Sequence, residues 1–173
     1  MLWELIFVLA VSLFGSLLHF VYVLTGKKRL VGLISPVNES TWEHLKLLFF
    51  PSLFFGIVEY FAVGKYIPNF IPAKVVGLIA GMCLIIVVFY TYTGILGRNW
   101  LPADILTFLL GVVFSSCISL RLISAGLFAS KALPGSLLLL ILLCACFFLF
   151  TISPPKIGLF RDPISGTYGI NRE

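Results

Sequence analysis

Residues 35–63 read SPVNESTWEHLKLLFFPSLFFGIVEYFAV. A polar mouth holding Asn38, Glu39, Glu43, His44 and Lys46 leads into an apolar run that continues to Val63. From about Thr41 to Val63, at 1.5 Å per residue, such a run crosses the roughly 30 Å of hydrocarbon in a bilayer. Four more runs of similar length follow the same rule: about Leu2 to Thr25, Ala73 to Leu96, Asp104 to Ala125, and Pro134 to Ser153, the last stopped by Pro154 and Pro155. Hydrophobic residues make up 60% of the 173-residue chain and charged ones 11%, with a mean hydropathy of +1.12. A water-soluble domain would have to expose much of that apolar surface. The sequence therefore predicts an all-α integral membrane bundle of five transmembrane helices. Residues 1–153 form the membrane domain, and residues 154–173 form a short tail packed on the inner helix ends.

The connections carry the orientation signal. With the N-terminus outside, Lys27, Lys28, Arg29, Arg98, Lys156, Arg161 and Arg172 fall on the cytoplasmic side, while Lys65, Lys74 and Lys131 fall outside. That bias predicts an N-out, C-in, multi-pass protein of the cell membrane. The net charge of +5 is scattered among connections, so it is not a nucleic-acid footprint. The Lys27–Arg29 cluster suits anionic lipid instead. Cys83, Cys117, Cys144 and Cys146 all fall inside predicted spans and lack CxxC spacing, which argues against zinc fingers and thiol redox chemistry. No positively charged leader or cleavage site is evident at the N-terminus.

Within the spans the polar residues are arranged by face and by level. Ser12, Gly15, Ser16 and His19 share an arc of about 100° on the first helix, and Asp104, Thr107, Gly111, Ser115 and Ser119 form a similar stripe on the fourth. Gly77 and Gly81 make a packing pattern on the third. His19, Glu39, Glu43, His44, Tyr90, Tyr92 and Asp104 all fall at the inner level, with Arg161 of the tail nearby. Glu59 and Arg121 are the clearest outer charges, and those two could pair.

Each of these residues has a structural reading beside a functional one. Ser40-x-x-Glu43 matches a capping box, and Glu39 and Glu43 both suit a helix N-terminus. Trp42 suits headgroup depth, and Lys46 can extend its ammonium to the same interface. Asp104 can cap the fourth span. His19, an ionisable group inside a span, points to function. His19, Glu43, His44 and Asp104 are thus the candidate catalytic groups, with Glu39, Trp42, Tyr90, Tyr92 and Arg161 as candidate ligand contacts. His19, His44 and Glu43 offer donors for a divalent metal, although Glu43 and His44, being adjacent, point about 100° apart. An inner polar pocket for a lipid headgroup or small amphiphile follows, served by a hydrolase or transferase if the protein is an enzyme. Two other readings stand beside it. One is a small homo-oligomeric transporter, and the other is a subunit presenting the WEH and FRDP segments to a membrane-protein partner.

PVNESTWEHLK at 36–46 and FRDPISGTYGI at 160–170 resemble the signatures of a family of small bacterial multi-spanning proteins with no assigned function. The resemblance covers most of the chain and implies a bacterial cytoplasmic-membrane protein. It brings no catalytic residue with it.

Overall fold

The computed structural model describes residues 2–128 and 130–170; Arg172, counted above among the inner charges, lies outside the described residues. The elements are α1 (Leu2–Leu24), α2 (Arg29–Gly32), α3 (Thr41–Ala62), α4 (Phe70–Leu96), α5 (Leu101–Ser124) and α6 (Leu133–Ile152), with short 3-10 turns between and after them. Five of these helices, all but α2, are long and apolar enough to cross a membrane. Their outer faces carry exposed residues such as Leu13, Leu17, Phe54, Val87, Leu106 and Ile141, a surface suited to hydrocarbon rather than water.

Three helices start near prolines for one reason. Pro72, Pro102 and Pro134 fall in the first turns of α4, α5 and α6, where a helix has no intrahelical partner for the missing N–H. For that reason α4 and α5 begin three residues before the expected Ala73 and Asp104. The backbone of α3 runs on through Pro51, which cannot donate to the Leu47 carbonyl. Gly15 of α1 sits against that same carbonyl, where a Cβ would clash with it and with Phe108. The proline on one helix and the glycine on another thus let the two backbones meet.

The helices alternate in direction. Asn69 at the start of α4 donates to the carbonyls of Leu122 and Leu127, at and just after the end of α5, at 3.0 and 2.8 Å. At the opposite end Tyr92 of α4 reaches Asp104 of α5. We refer to the end where α1 finishes and α3 begins as the mouth end, and to the other as the far end. The α4–α5 contact is close because Gly77 lies against Ser115 and Ser119, and Gly81 against Gly111 and Ser115. Small residues permit that backbone approach. The lower part of the α5 stripe is therefore spent on packing. On α1, Gly15 is buried but Ser16 is exposed, with its hydroxyl on the Ser12 carbonyl.

The core is formed by Val11, Leu45, Leu48, Phe49, Val112 and Phe147, each at most 2% exposed, with further apolar side chains around them. Helix α6 joins it through Phe147, with Leu140, Leu143 and Cys144 also packed against it. Its two buried residues are Phe147, whose ring is tilted against Trp42 at 4.7 Å and Phe49 at 4.8 Å, and Thr151. The chain after α6 returns across the mouth end. Phe160 is buried with its ring 5.0 Å from Trp42, and Ile170 N–H donates to the Thr151 carbonyl at 3.1 Å. Asn38 closes the same junction on the Gly169 carbonyl.

Candidate functional site

Three side chains from separate segments meet at the mouth end: His19 of α1, Glu39 from the connection before α3, and His44 of α3. Ser40 caps α3 by accepting the Glu43 N–H at 3.4 Å. Its carbonyl takes the His44 N–H at 3.2 Å and meets His44 Nδ1 at 3.0 Å. A carbonyl oxygen can only accept, so Nδ1 carries the proton in that bond. The other ring nitrogen, Nε2, faces Glu39 Oε2 at 3.3 Å, while His19 Nε2 lies 3.7 Å from Glu39 Oε1.

In neutral His44 the Nε2 lone pair would confront a carboxylate, so a cation has to lie between them, either a proton or a metal ion. The spacing bears on which. Charge-assisted N–H···O bonds are about 2.7–2.9 Å, shorter than either distance. Two ligands of a tetrahedral zinc, each about 2.1 Å from the ion, lie about 3.4 Å apart. The three donor atoms lie within 4.8 Å of one another, so His19, Glu39 and His44 could hold a first-row divalent ion. Hydrogen bonding to His19, and then to His44, keeps the Glu39 carboxyl far below its ordinary value of 4.5, outweighing the opposing effect of partial burial.

Beside this set is a narrow cavity of about 70 Å³, with Glu39, Thr41 and His44 on one wall and Asn99, Asp104 and Thr107 on the other. Asp104 accepts a short hydrogen bond from Tyr92. It does not cap α5: the N-cap position is Trp100. The mouth end thus brings together His19, His44, Glu39 and Asp104, with Tyr92 behind the last.

Four other expected residues are placed elsewhere. Glu43 is buried, and its carboxylate accepts from Lys46 Nζ at 2.6 Å, Thr151 Oγ1 at 3.0 Å and Val37 N–H at 3.1 Å. It is thus tied to the loop, its own helix and α6, and the carboxylate beside the two histidines is Glu39 instead. Nor does Glu43 complete a capping box, because the Ser40 N–H goes to Asn38 Oδ1. Trp42 is packed among Phe147, Phe150 and Phe160. Tyr90 is exposed, and Arg161 lies in the tail beside Gly166, away from the cavity walls.

Lys46 does not reach an interface. It is 0% exposed and donates to Glu43 and to the Gly32 carbonyl at 2.8 Å. Arg121 is not the partner of Glu59: that carboxylate takes Lys74 Nζ at 2.6 Å, and Lys74 also holds Glu4 at 2.7 Å. Ser116 donates a short bond to Glu4. The sequence puts Lys74 at the very start of a span beginning near Ala73 and counts it among the outer charges. Starting α4 at Phe70 sets Lys74 a turn inside the helix, level with Glu4 near the start of α1 and Glu59 near the end of α3.

No curated protein and no solved structure matches the chain significantly. The model of a family of unknown function, DUF6512, matches residues 1–170, and the chain belongs to that family.

Proposed function

We propose that this is a cell-membrane protein, N-out and C-in, which binds a divalent metal through His19, Glu39 and His44. On this reading the adjoining slot takes the polar head of an amphiphile at the inner leaflet. The observation that carries it is the His44 ring. Its Nδ1–H is fixed on a backbone carbonyl, an arrangement typical of metal-ligating histidines, and its Nε2 faces the Glu39 carboxylate at 3.3 Å, with His19 Nε2 3.7 Å from the other carboxylate oxygen. Two imidazoles and one carboxylate leave a fourth position open, as in zinc sites that activate water. Asp104, across the slot and hydrogen-bonded by Tyr92 behind it, would hold or move a proton for hydrolysis or transfer of the headgroup. The exposed Lys27, Lys28 and Arg29 at the same end favour an anionic lipid surface.

The partner-subunit reading has less support, because Trp42 and Phe160 are packed on each other. A transport reading lacks the Glu59–Arg121 gate it needed.

The test is calorimetric titration of zinc into metal-stripped protein. One equivalent should bind wild type and Glu43→Gln, and His19→Ala, Glu39→Gln and His44→Ala should each lose it. Equal binding by wild type and those three variants would defeat the proposal.

A further inference from the structure

A run of cations at the mouth end stands apart from both charge clusters. Lys27, Lys28 and Arg29 are exposed, and among the described residues their side chains have no ion-pair or hydrogen-bond partner. The acids of that end are committed elsewhere. Glu39 faces the histidines, Glu43 holds Lys46, Asp104 accepts from Tyr92, and Asp162 serves its own turn at Ile164 and Ser165. The positive charge left over is available to an anion from outside the chain.

Arg29 differs from the two lysines in what lies beside it. With Leu30, Leu33, Ile152 and Ile170 it lines a cleft of about 190 Å³. One side is α2 and the residue after it; the other is the last residue of α6 and the returning tail. Both sides are pinned. Lys46 holds the carbonyls of Gly32 and Ser35, which draws the connection inward just after α2. Ile170 N–H is held on the Thr151 carbonyl, next to Ile152. Leu33 and Ile170 are half-buried, whereas Leu30 and Ile152, 82% and 60% exposed, form the rim with Arg29. No acidic side chain lines the cleft among the described residues.

That lining selects the occupant. Apolar walls offer a small hydrophilic anion nothing to replace the water it would give up, and a bare hydrocarbon has no use for Arg29. An apolar chain with a negative group at one end satisfies both parts. The volume is below the roughly 300 Å³ at which pockets for whole small molecules begin, so the cleft takes part of a larger molecule. Ile152 ends one of the five helices apolar enough to cross a membrane, so the rest of that molecule continues along the hydrocarbon-facing side of α6. A guanidinium pairs with phosphate through two parallel hydrogen bonds, and basic pockets beside membrane helices suit anionic headgroups.

We infer that the cleft between α2, the end of α6 and the tail binds one anionic phospholipid, with its phosphate on Arg29 and part of an acyl chain between Leu30 and Ile152. The site shares no residue with the metal set or its slot and does not rest on that reading.

The test is native mass spectrometry of full-length, metal-stripped protein in detergent, titrated with equal amounts of phosphatidylglycerol and phosphatidylcholine bearing the same chains. One phosphatidylglycerol should be retained in preference to phosphatidylcholine. Arg29→Gln should weaken that retention about tenfold, the effect of one charge-assisted hydrogen bond. Leu30→Ser should weaken it too, by removing the apolar rim. Both side chains are exposed, so neither change disturbs the core. Arg98→Gln removes an equal charge from the α4–α5 connection at the same end and should leave retention unchanged, as should His44→Ala in the metal set. Equal losses in Arg29→Gln and Arg98→Gln would reduce the effect to diffuse surface attraction and overturn the inference. So would loss in His44→Ala, which moves the lipid to the slot, or displacement of the lipid by inorganic phosphate. Equal retention of phosphatidylcholine, or a Leu30→Ser protein that behaves as wild type, would overturn it as well.

Discussion

Replacing Lys46 by Met tests whether the polar mouth is held by a buried ion pair. Lys46 and Glu43 are 0% and 2% exposed with 2.6 Å between charges. Lys46 also donates to the carbonyls of Gly32 and Ser35, at 2.8 and 3.4 Å. Methionine fills most of the same space but leaves the Glu43 carboxylate with only Val37 N–H and Thr151 Oγ1. Removing one partner of a buried pair typically costs about 3–5 kcal/mol, or about 6–20 °C in Tm for a chain of this size. Glu43→Gln should cost a similar amount by stranding the ammonium. The double variant Glu43→Gln/Lys46→Met should be more stable than either single one, because no buried charge is left alone. Thermal unfolding in detergent, followed by tryptophan fluorescence, reads all three. A Lys46→Met protein melting within about 1 °C of wild type, or a double variant worse than both singles, would refute the reasoning.

Three further outcomes follow from the same geometry. Gly77→Ala should destabilise by about 1–3 kcal/mol, because its Cβ meets the Ser115 carbonyl and Ser119, whereas Gly56→Ala should raise Tm by restoring helix propensity in open space; paired melts check this. At the far end Lys74→Met should be severely destabilising by stranding Glu4 and Glu59, while Glu59→Gln, which leaves Glu4 on Lys74, should cost far less in the same melt. The depressed Glu39 carboxyl stabilises the fold fully above its ordinary value of about 4.5, a contribution lost as pH falls further. Tm plotted against pH should therefore drop more steeply in wild type than in Glu39→Gln below about pH 5.

The long apolar runs made the five spans legible, since length and hydropathy alone decide what crosses hydrocarbon. Their starts were less so, because Pro72 and Pro102 read as breaks before a helix when they belong to its first turn. That His19, Glu39, His44 and Asp104 gather at one end of the bundle was also legible, as each lies near a helix end. Which carboxylate meets the histidines was not. Glu39 and Glu43 stand one helical turn apart, and the choice rests on the 25–40 connection, which folds inward to bury Ser35 and present two carbonyls to Lys46. A polar loop penetrating a bundle leaves no periodic trace. The small residues of α4 and α5 announced close packing, but only coordinates show that Gly77 and Gly81 meet Ser115 in particular.

X-ray absorption at the zinc edge of the loaded protein bears most directly on the mouth-end site. Two imidazole nitrogens at about 2.0–2.1 Å and one carboxylate oxygen at about 2.0–2.2 Å are expected, with no sulfur, and Glu39→Gln should lose the oxygen or the metal. A sulfur shell at about 2.3 Å, or a spectrum indifferent to Glu39→Gln, would contradict the assignment of His19, Glu39 and His44 as one metal site.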